Sequence, residues 1–147
     1  MVSVPVDAKV SMKDMAASCG SLDYAWRLSS SGYVKEDSLS PGFGYWVKGT
    51  RECSFKASAS SYSLSIQPLS AGWNLVGATG SEVKLADYSG SCQVTSGPWY
   101  YSHNSADTAS PYEYSPALSP GKAYWVKVSS ACSLHGSSEE APPAPPQ

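Results

Sequence analysis

The sequence predicts a mainly β protein: two tandem β-rich repeats, each with one short helix and one disulfide, set together as a pseudo-symmetric pair. Three observations carry that expectation. The phrase at residues 39–53, LSPGFGYWVKGTREC, returns almost unchanged at 118–132 as LSPGKAYWVKVSSAC. Two cysteines stand at matching places in each copy. Five Trp and ten Tyr, with abundant Ser, Gly and Pro and only 15% charged residues, favour strands and turns over helices.

The copies superpose by subtraction. Leu39 and Leu118, Tyr45 and Tyr124, and Cys53 and Cys132 are 79 apart, whereas Val10 and Val83, Asp14 and Asp87, Cys19 and Cys92, and Trp26 and Trp99 are 73 apart. The second copy therefore carries six extra residues between Trp99 and Leu118, within a turn-rich stretch, as a duplication with one loop insertion would leave it. The first repeat spans 1–57 and the second 58–137, and the Pro-rich segment 138–147 reads as a linker or tail. Carried to the start, the 73 offset sets Val2 on Leu75 and leaves SYSLSIQPLSAGWN (61–74) without a counterpart. There YSLSIQ alternates as a strand, PLSAG has turn chemistry and WNLVGA reads as the returning strand of a hairpin. The first repeat thus opens inside a hairpin, and its bare edge invites pairing with another chain.

The remaining elements follow in order. Segment 10–18, VSMKDMAAS, has helical character with Ser11 near its start, while Tyr88 and Gly90 weaken its counterpart VKLADYSGS. YAWRLS and PWYYS alternate, which places Trp26 with Leu28, and Trp99 with Tyr101, on one face; Trp26, Trp73 and Trp99 are assigned to the core. Ser-Pro-Gly-Phe and Ser-Pro-Gly-Lys have the Pro and Gly of type II turns. YWVK leaves each turn as a strand, and CSFKA or CSLHG closes the unit.

Units of about 70 residues sit where a hydrophobic core alone is marginal and staples are common. The pairing that repeats within each copy is Cys19–Cys53 and Cys92–Cys132. Each bridge would contribute roughly 3–4 kcal/mol in the chain-entropy account. Free buried thiols and zinc are the rival readings, and zinc is disfavoured because no two cysteines stand a few residues apart. Disulfides imply an oxidising compartment. MVSVPVDAKV lacks the basic start and apolar run of a signal peptide, so an extracellular or cell-envelope location rests on the cysteines. A net charge of −2 with no basic run leaves no footprint for nucleic acid, and no stretch approaches the roughly 20 apolar residues of a membrane span.

SAGWNLVGATG, followed by LSPGKAYWVKVSSACSLHG, resembles the Gly-Trp-Asn-Leu…Gly-Tyr-Trp-Val repeats of large surface and secreted proteins of bacteria and archaea. The resemblance covers 63–136 of the second copy and 2–55 of the first. It implies a module with an opening strand, a short helix, a Trp-bearing strand, a Pro-Gly turn and a Tyr-Trp strand, used as an accessory part of multidomain chains. It transfers no catalytic residue and no cofactor. The chain departs from the pattern twice: the first copy lacks the opening strand, and Ala123 stands where the family usually has Gly.

Residues for chemistry are few. His103, in the inserted loop near Asn104 and Asp107, and His135, in the closing strand, read as solvated histidines without a nucleophile. Glu36, Asp37, Asp107 and Glu113 fall in turn-like segments, unlike a buried acid–base pair. No calcium, phosphate or dinucleotide motif is present, so no cofactor, metal or enzymatic activity is expected. The aromatics are the lead. If Tyr45 and Tyr124 point inward with the following Val, the rings of Trp46 and Trp125 lie outside beside Lys48 and Lys127, as a platform for sugar rings or a protein. Tyr100, Tyr112 and Tyr114 add a contact patch around the inserted loop. The expected function is a non-catalytic structural or adhesion module of an extracytoplasmic protein. The alternatives are a carbohydrate-binding module, and a stand-alone protein forming homo-oligomers through the first repeat's edge.

Overall fold

The computed structural model describes residues 1–20, 22, 24–50, 53–60, 67–102 and 111–135; the expected strand over 62–66, His103, Asn104, Asp107 and the segment after Ser137 lie outside them. In chain order the first repeat contributes β1 (Val10–Ser11), α1 (Met12–Cys19), β2 (Ala25–Ser29), β3 (Gly32–Glu36), β4 (Ser38–Leu39) and β5 (Trp46–Val47). The second contributes β6 (Gln67–Leu69), β7 (Gly72–Gly77), β8 (Val83–Lys84), α2 (Leu85–Tyr88), β9 (Val94–Tyr101), β10 (Tyr112–Tyr114), β11 (Ala117–Leu118), β12 (Ala123–Val128) and β13 (Cys132–Leu134). The protein is mainly β, with one short helix and one disulfide in each repeat, Cys19–Cys53 and Cys92–Cys132, their Cα atoms 5.0 and 5.1 Å apart. Both bridges belong to an oxidising environment.

The repeats are built alike. Antiparallel hairpins β2–β3 and β9–β10 are joined to the Tyr-Trp strand in the orders β3-β2-β5 and β10-β9-β12. Short pairs Val10↔Leu39 and Val83↔Leu118 occupy equivalent places. Ten residues separate the paired Tyr101 and Tyr112 where four separate Leu28 and Tyr33, so the six-residue insertion lengthens the hairpin loop. Ser11 caps α1, its hydroxyl accepting from the Lys13 N–H at 3.1 Å, while α2, with no side-chain cap, is a single turn. Gly42 and Gly121 take φ 85° and 79° in the Ser-Pro-Gly turns, the conformation that position of a type II turn requires.

Two expectations at the module opening need correction. Among the described residues β6 and β7 do not pair with each other as the expected hairpin requires: β6 pairs with β13 and β7 with β12. The Asn74 side chain accepts from the Ser70 N–H (3.0 Å) and donates to the Ser70 carbonyl (2.9 Å), which replaces hairpin bonds with a corner and sends β6 to another sheet. Val2 corresponds to Val76 and not to Leu75. Val2 bridges Tyr45 as Val76 pairs with Tyr124, and a slip of one residue would turn its side chain to the wrong face.

That register reveals how the repeats join. Val2 bridges Lys122 of the second repeat, and Val76 bridges Phe43 of the first, which is the same contact with the repeats exchanged. The Ser3 N–H donates to the Gly121 carbonyl (2.9 Å) and the Gly77 N–H to the Gly42 carbonyl (3.1 Å), again a matched pair. Arg27 lies 5.2 Å from the Phe43 ring centroid and Lys122 4.6 Å from that of Tyr100, so the counterpart positions keep one cation–ring contact while swapping which side supplies the charge. The open side of Val2 is therefore occupied within the chain. On the pseudo-dyad itself stand small residues. A Cβ on Gly44 would lie 2.7 Å from that of its counterpart Ala123, and one on Gly77 would lie 2.9 Å from that of its counterpart Ser3. The methyl group of Ala123 fits there because its opposite number across the axis, Gly44, has no side chain.

Candidate aromatic binding face

Tyr124 and Val126 are 1% and 0% exposed, and with Val128 they fix the inner side of β12. Tyr45 is equally enclosed. What holds these tyrosines in is a shared hydrogen bond: the Ser40 N–H donates to Tyr45 Oη and the Ser119 N–H to Tyr124 Oη, both at 2.9 Å. Burial pushes the Tyr45 phenol above its ordinary pKa, against the opposing pull of the Ser40 bond. With Tyr and Val inside, strand alternation turns Trp46, Trp125 and Lys127 outward.

Neighbouring strands inherit that polarity. Trp99 stands directly opposite Trp125, Trp26 opposite Trp46, Trp73 opposite Lys127, and Tyr114 and Tyr112 opposite Trp99 and Tyr101. Trp26, Trp73 and Trp99, assigned to the core by sequence, therefore lie on the outer face, with Trp26 40% and Trp73 45% exposed. Tyr100 is also corrected: it points inward, packs on the core beside Tyr124 at 6.1 Å between centroids, and sits beneath Lys122. Tyr112 and Tyr114 do face out, Tyr114 at 60% exposure.

A bulge in β9 completes the arrangement. Between the pairs Trp125↔Trp99 and Lys127↔Ser96, two residues of β9, Gly97 and Pro98 with a cis peptide bond, oppose one of β12. Ser96 and Trp99 are thereby brought to the same face, and Trp99 Nε1 donates to Ser96 Oγ at 2.9 Å. A side chain on Gly97 would collide with the Trp125 carbonyl oxygen.

The result is an open groove of about 580 Å³ lined by Leu28, Trp73, Ser96, Trp99, Tyr112 and Trp125. Leu28 comes from the first repeat and the others from the second. The walls are braced by edge-to-face pairs, Trp73 with Trp125 at 6.3 Å, Trp99 with Tyr114 at 5.8 Å and Tyr101 with Tyr112 at 5.6 Å. Trp46 of the first repeat reaches Tyr101 at 5.2 Å and extends the aromatic surface across the junction. Lys127 Nζ lies 5.7 Å from the Trp73 ring centroid at one rim.

The residues weighed for chemistry are dispersed. Glu36 belongs to a strand and pairs with Arg27 at 3.0 Å, and the Asp37 carbonyl accepts from the Met12 N–H at 2.8 Å. Glu113 is exposed on β10. His135 follows β13, its N–H donating to the Tyr88 carbonyl at 3.2 Å. Among the described residues no three of His, Cys, Asp or Glu gather as a metal-ligand set, and no helix is long and apolar enough to cross a membrane. No family model matches the chain, and no significant match is found among curated proteins or solved structures.

Proposed function

We propose that the chain is a non-catalytic adhesion module of an extracytoplasmic protein that binds neutral sugar rings on its outer aromatic face. The observation that carries the reading is the convergence of Trp73, Trp99, Trp125, Tyr112 and Leu28 around one groove, with Ser96 among them. Its volume lies within the range of small-molecule sites. A pyranose presents a face of C–H groups with slight positive charge, complementary to the negative π face of an indole. Its edge of hydroxyls needs scattered hydrogen-bonding groups, here Ser96 and Lys127. The near absence of charge in the groove favours a neutral ligand over an ionic one. The two disulfides support the extracytoplasmic setting.

The test is a titration with neutral oligosaccharides of glucose, xylose, mannose and N-acetylglucosamine, followed by tryptophan fluorescence and calorimetry. At least one series should bind. Trp125→Ala should then weaken it by tenfold or more, a change of about 1.4 kcal/mol or more, and Tyr112→Ala should weaken it measurably. Trp26→Ala, on the same face but outside the groove, should leave it unchanged. Failure of every series to bind, or unchanged affinity in Trp125→Ala, would overturn the reading.

A further inference from the structure

In the second repeat β6 is the strand that closes the core. Leu69 inserts among Val76, Ala78, Leu118, Val126 and Leu134, and both Leu69 and Gln67 are buried as β6 pairs with β13. The first repeat keeps the surroundings of that strand, and among the described residues no strand occupies them. Val4, Cys19, Leu39, Val47, Cys53 and Phe55 are the counterparts of Ala78, Cys92, Leu118, Val126, Cys132 and Leu134, and all six line a cavity of about 600 Å³. Gly49 also lines it, standing where the second repeat has the buried Val128, so the space lacks two side chains at once. Residues 53–55, the counterparts of β13, belong to no strand, and Cys53 and Ser54 are exposed where Cys132 and Ser133 are half-buried.

We propose that this cavity is a strand-acceptor groove. Its occupant is an extended segment of a partner polypeptide with the chemistry of β6: an inward polar residue, a proline facing out and an inward leucine, running antiparallel to residues 53–55. The internal comparison supplies the occupant. The occupant need not be invented, because the same chain already shows which sequence fills the same walls. Main-chain bonds to the edge at Ser54, which pairs with no strand among the described residues, would give affinity, and the leucine pocket between Leu39, Val47 and Phe55 would give selectivity, as in recognition by strand addition. The groove is separate from the aromatic face, and neither reading depends on the other.

The probe is the synthetic peptide Ser-Ile-Gln-Pro-Leu-Ser-Ala-Gly, copied from 65–72, against the same peptide with aspartate in place of leucine. Both are titrated into the intact oxidised chain under methyl and amide NMR. The expected result is perturbation of Leu39, Val47 and Phe55, silence at Leu118, Val126 and Leu134, and a rise in Tm of roughly 5–10 °C near saturation. Because a short free peptide loses much entropy on binding, a second arm fuses Gln-Pro-Leu-Ser-Ala-Gly-Trp-Asn ahead of Met1, where a short tether gives a millimolar effective concentration. The leucine fusion should melt several degrees above its aspartate twin. Equal melting of the two fusions overturns the proposal, as does equal binding of the two peptides or perturbation centred on the second repeat. A peptide-sensitive dimer in sedimentation would overturn it in favour of a second copy as the occupant.

Discussion

Exchanging the methyl group across the pseudo-dyad tests how the repeats meet. Gly44→Ala alone places a Cβ 2.6 Å from Leu75 Cγ and 2.7 Å from Ala123 Cβ, about 1 Å inside ordinary carbon contact. Gly44 has no positive φ, so the backbone accepts alanine and the cost is steric, on the order of 2–3 kcal/mol in a packed core. Ala123→Gly alone removes a buried methyl, about 0.8 kcal/mol, and adds roughly 0.5–1 kcal/mol of glycine entropy. Independent effects would sum to about 4 kcal/mol. If the methyls collide, the double variant keeps only the Leu75 contact and should lose about 2–2.5 kcal/mol, a coupling well above 1 kcal/mol. Equilibrium urea unfolding of all four oxidised proteins measures this. Additivity within about 0.5 kcal/mol would refute the packing. Gly77→Ala supplies the contrast: its Cβ would lie 2.7 Å from the Phe43 carbonyl oxygen, a backbone atom, so Ser3→Gly should rescue little of the loss.

Three further outcomes are expected. Tyr124→Phe leaves the Ser119 N–H without its acceptor and should cost about 1–3 kcal/mol in urea unfolding, with Tyr45→Phe and Ser40 behaving alike. The folded state holds the Tyr45 proton more tightly than the unfolded chain, whose phenol titrates near 10, so this stabilisation is complete below about pH 10 and is lost as pH rises through the higher folded pKa. Thermal melts across that range should fall more steeply for the wild type than for Tyr45→Phe. Under limiting reductant, mass spectrometry with thiol labelling should find Cys19–Cys53 opened before Cys92–Cys132, because Cys53 is exposed where Cys132 is half-buried.

The duplication, the disulfides, the unequal helices and the loop insertion were legible because each is written as matched residue types at fixed offsets. The faces of the tryptophans were not. Alternation says which residues share a face and leaves open which face is inside, and a Tyr-Trp strand offers a large ring to both sides. The deciding signal is local: Ser-Pro-Gly-x-x-Tyr, present at 40–45 and 119–124, puts the phenol within reach of the serine N–H and so commits tyrosine to the interior. From that one bond the outward direction of Trp26, Trp73, Trp99 and Trp125 follows. The β9 bulge had no comparable mark beyond Gly97-Pro98. The pairing of β6 with β13 depends on contacts across more than 60 residues, which neither composition nor periodicity encodes.

The unlike residues on the axis bear on partner choice. Two first repeats face to face would oppose Ser3 to Ser3 and leave a hole between two copies of Gly44. Two second repeats would drive Ala123 against Ala123 and leave a hole at Gly77. Only an unlike pair fills both crossings, with alanine over glycine at one and serine over glycine at the other. In a polypeptide that strings several such modules together, each half would thus distinguish its own neighbour from a stranger of nearly identical sequence, and one or two atoms at each crossing would decide which halves close on each other.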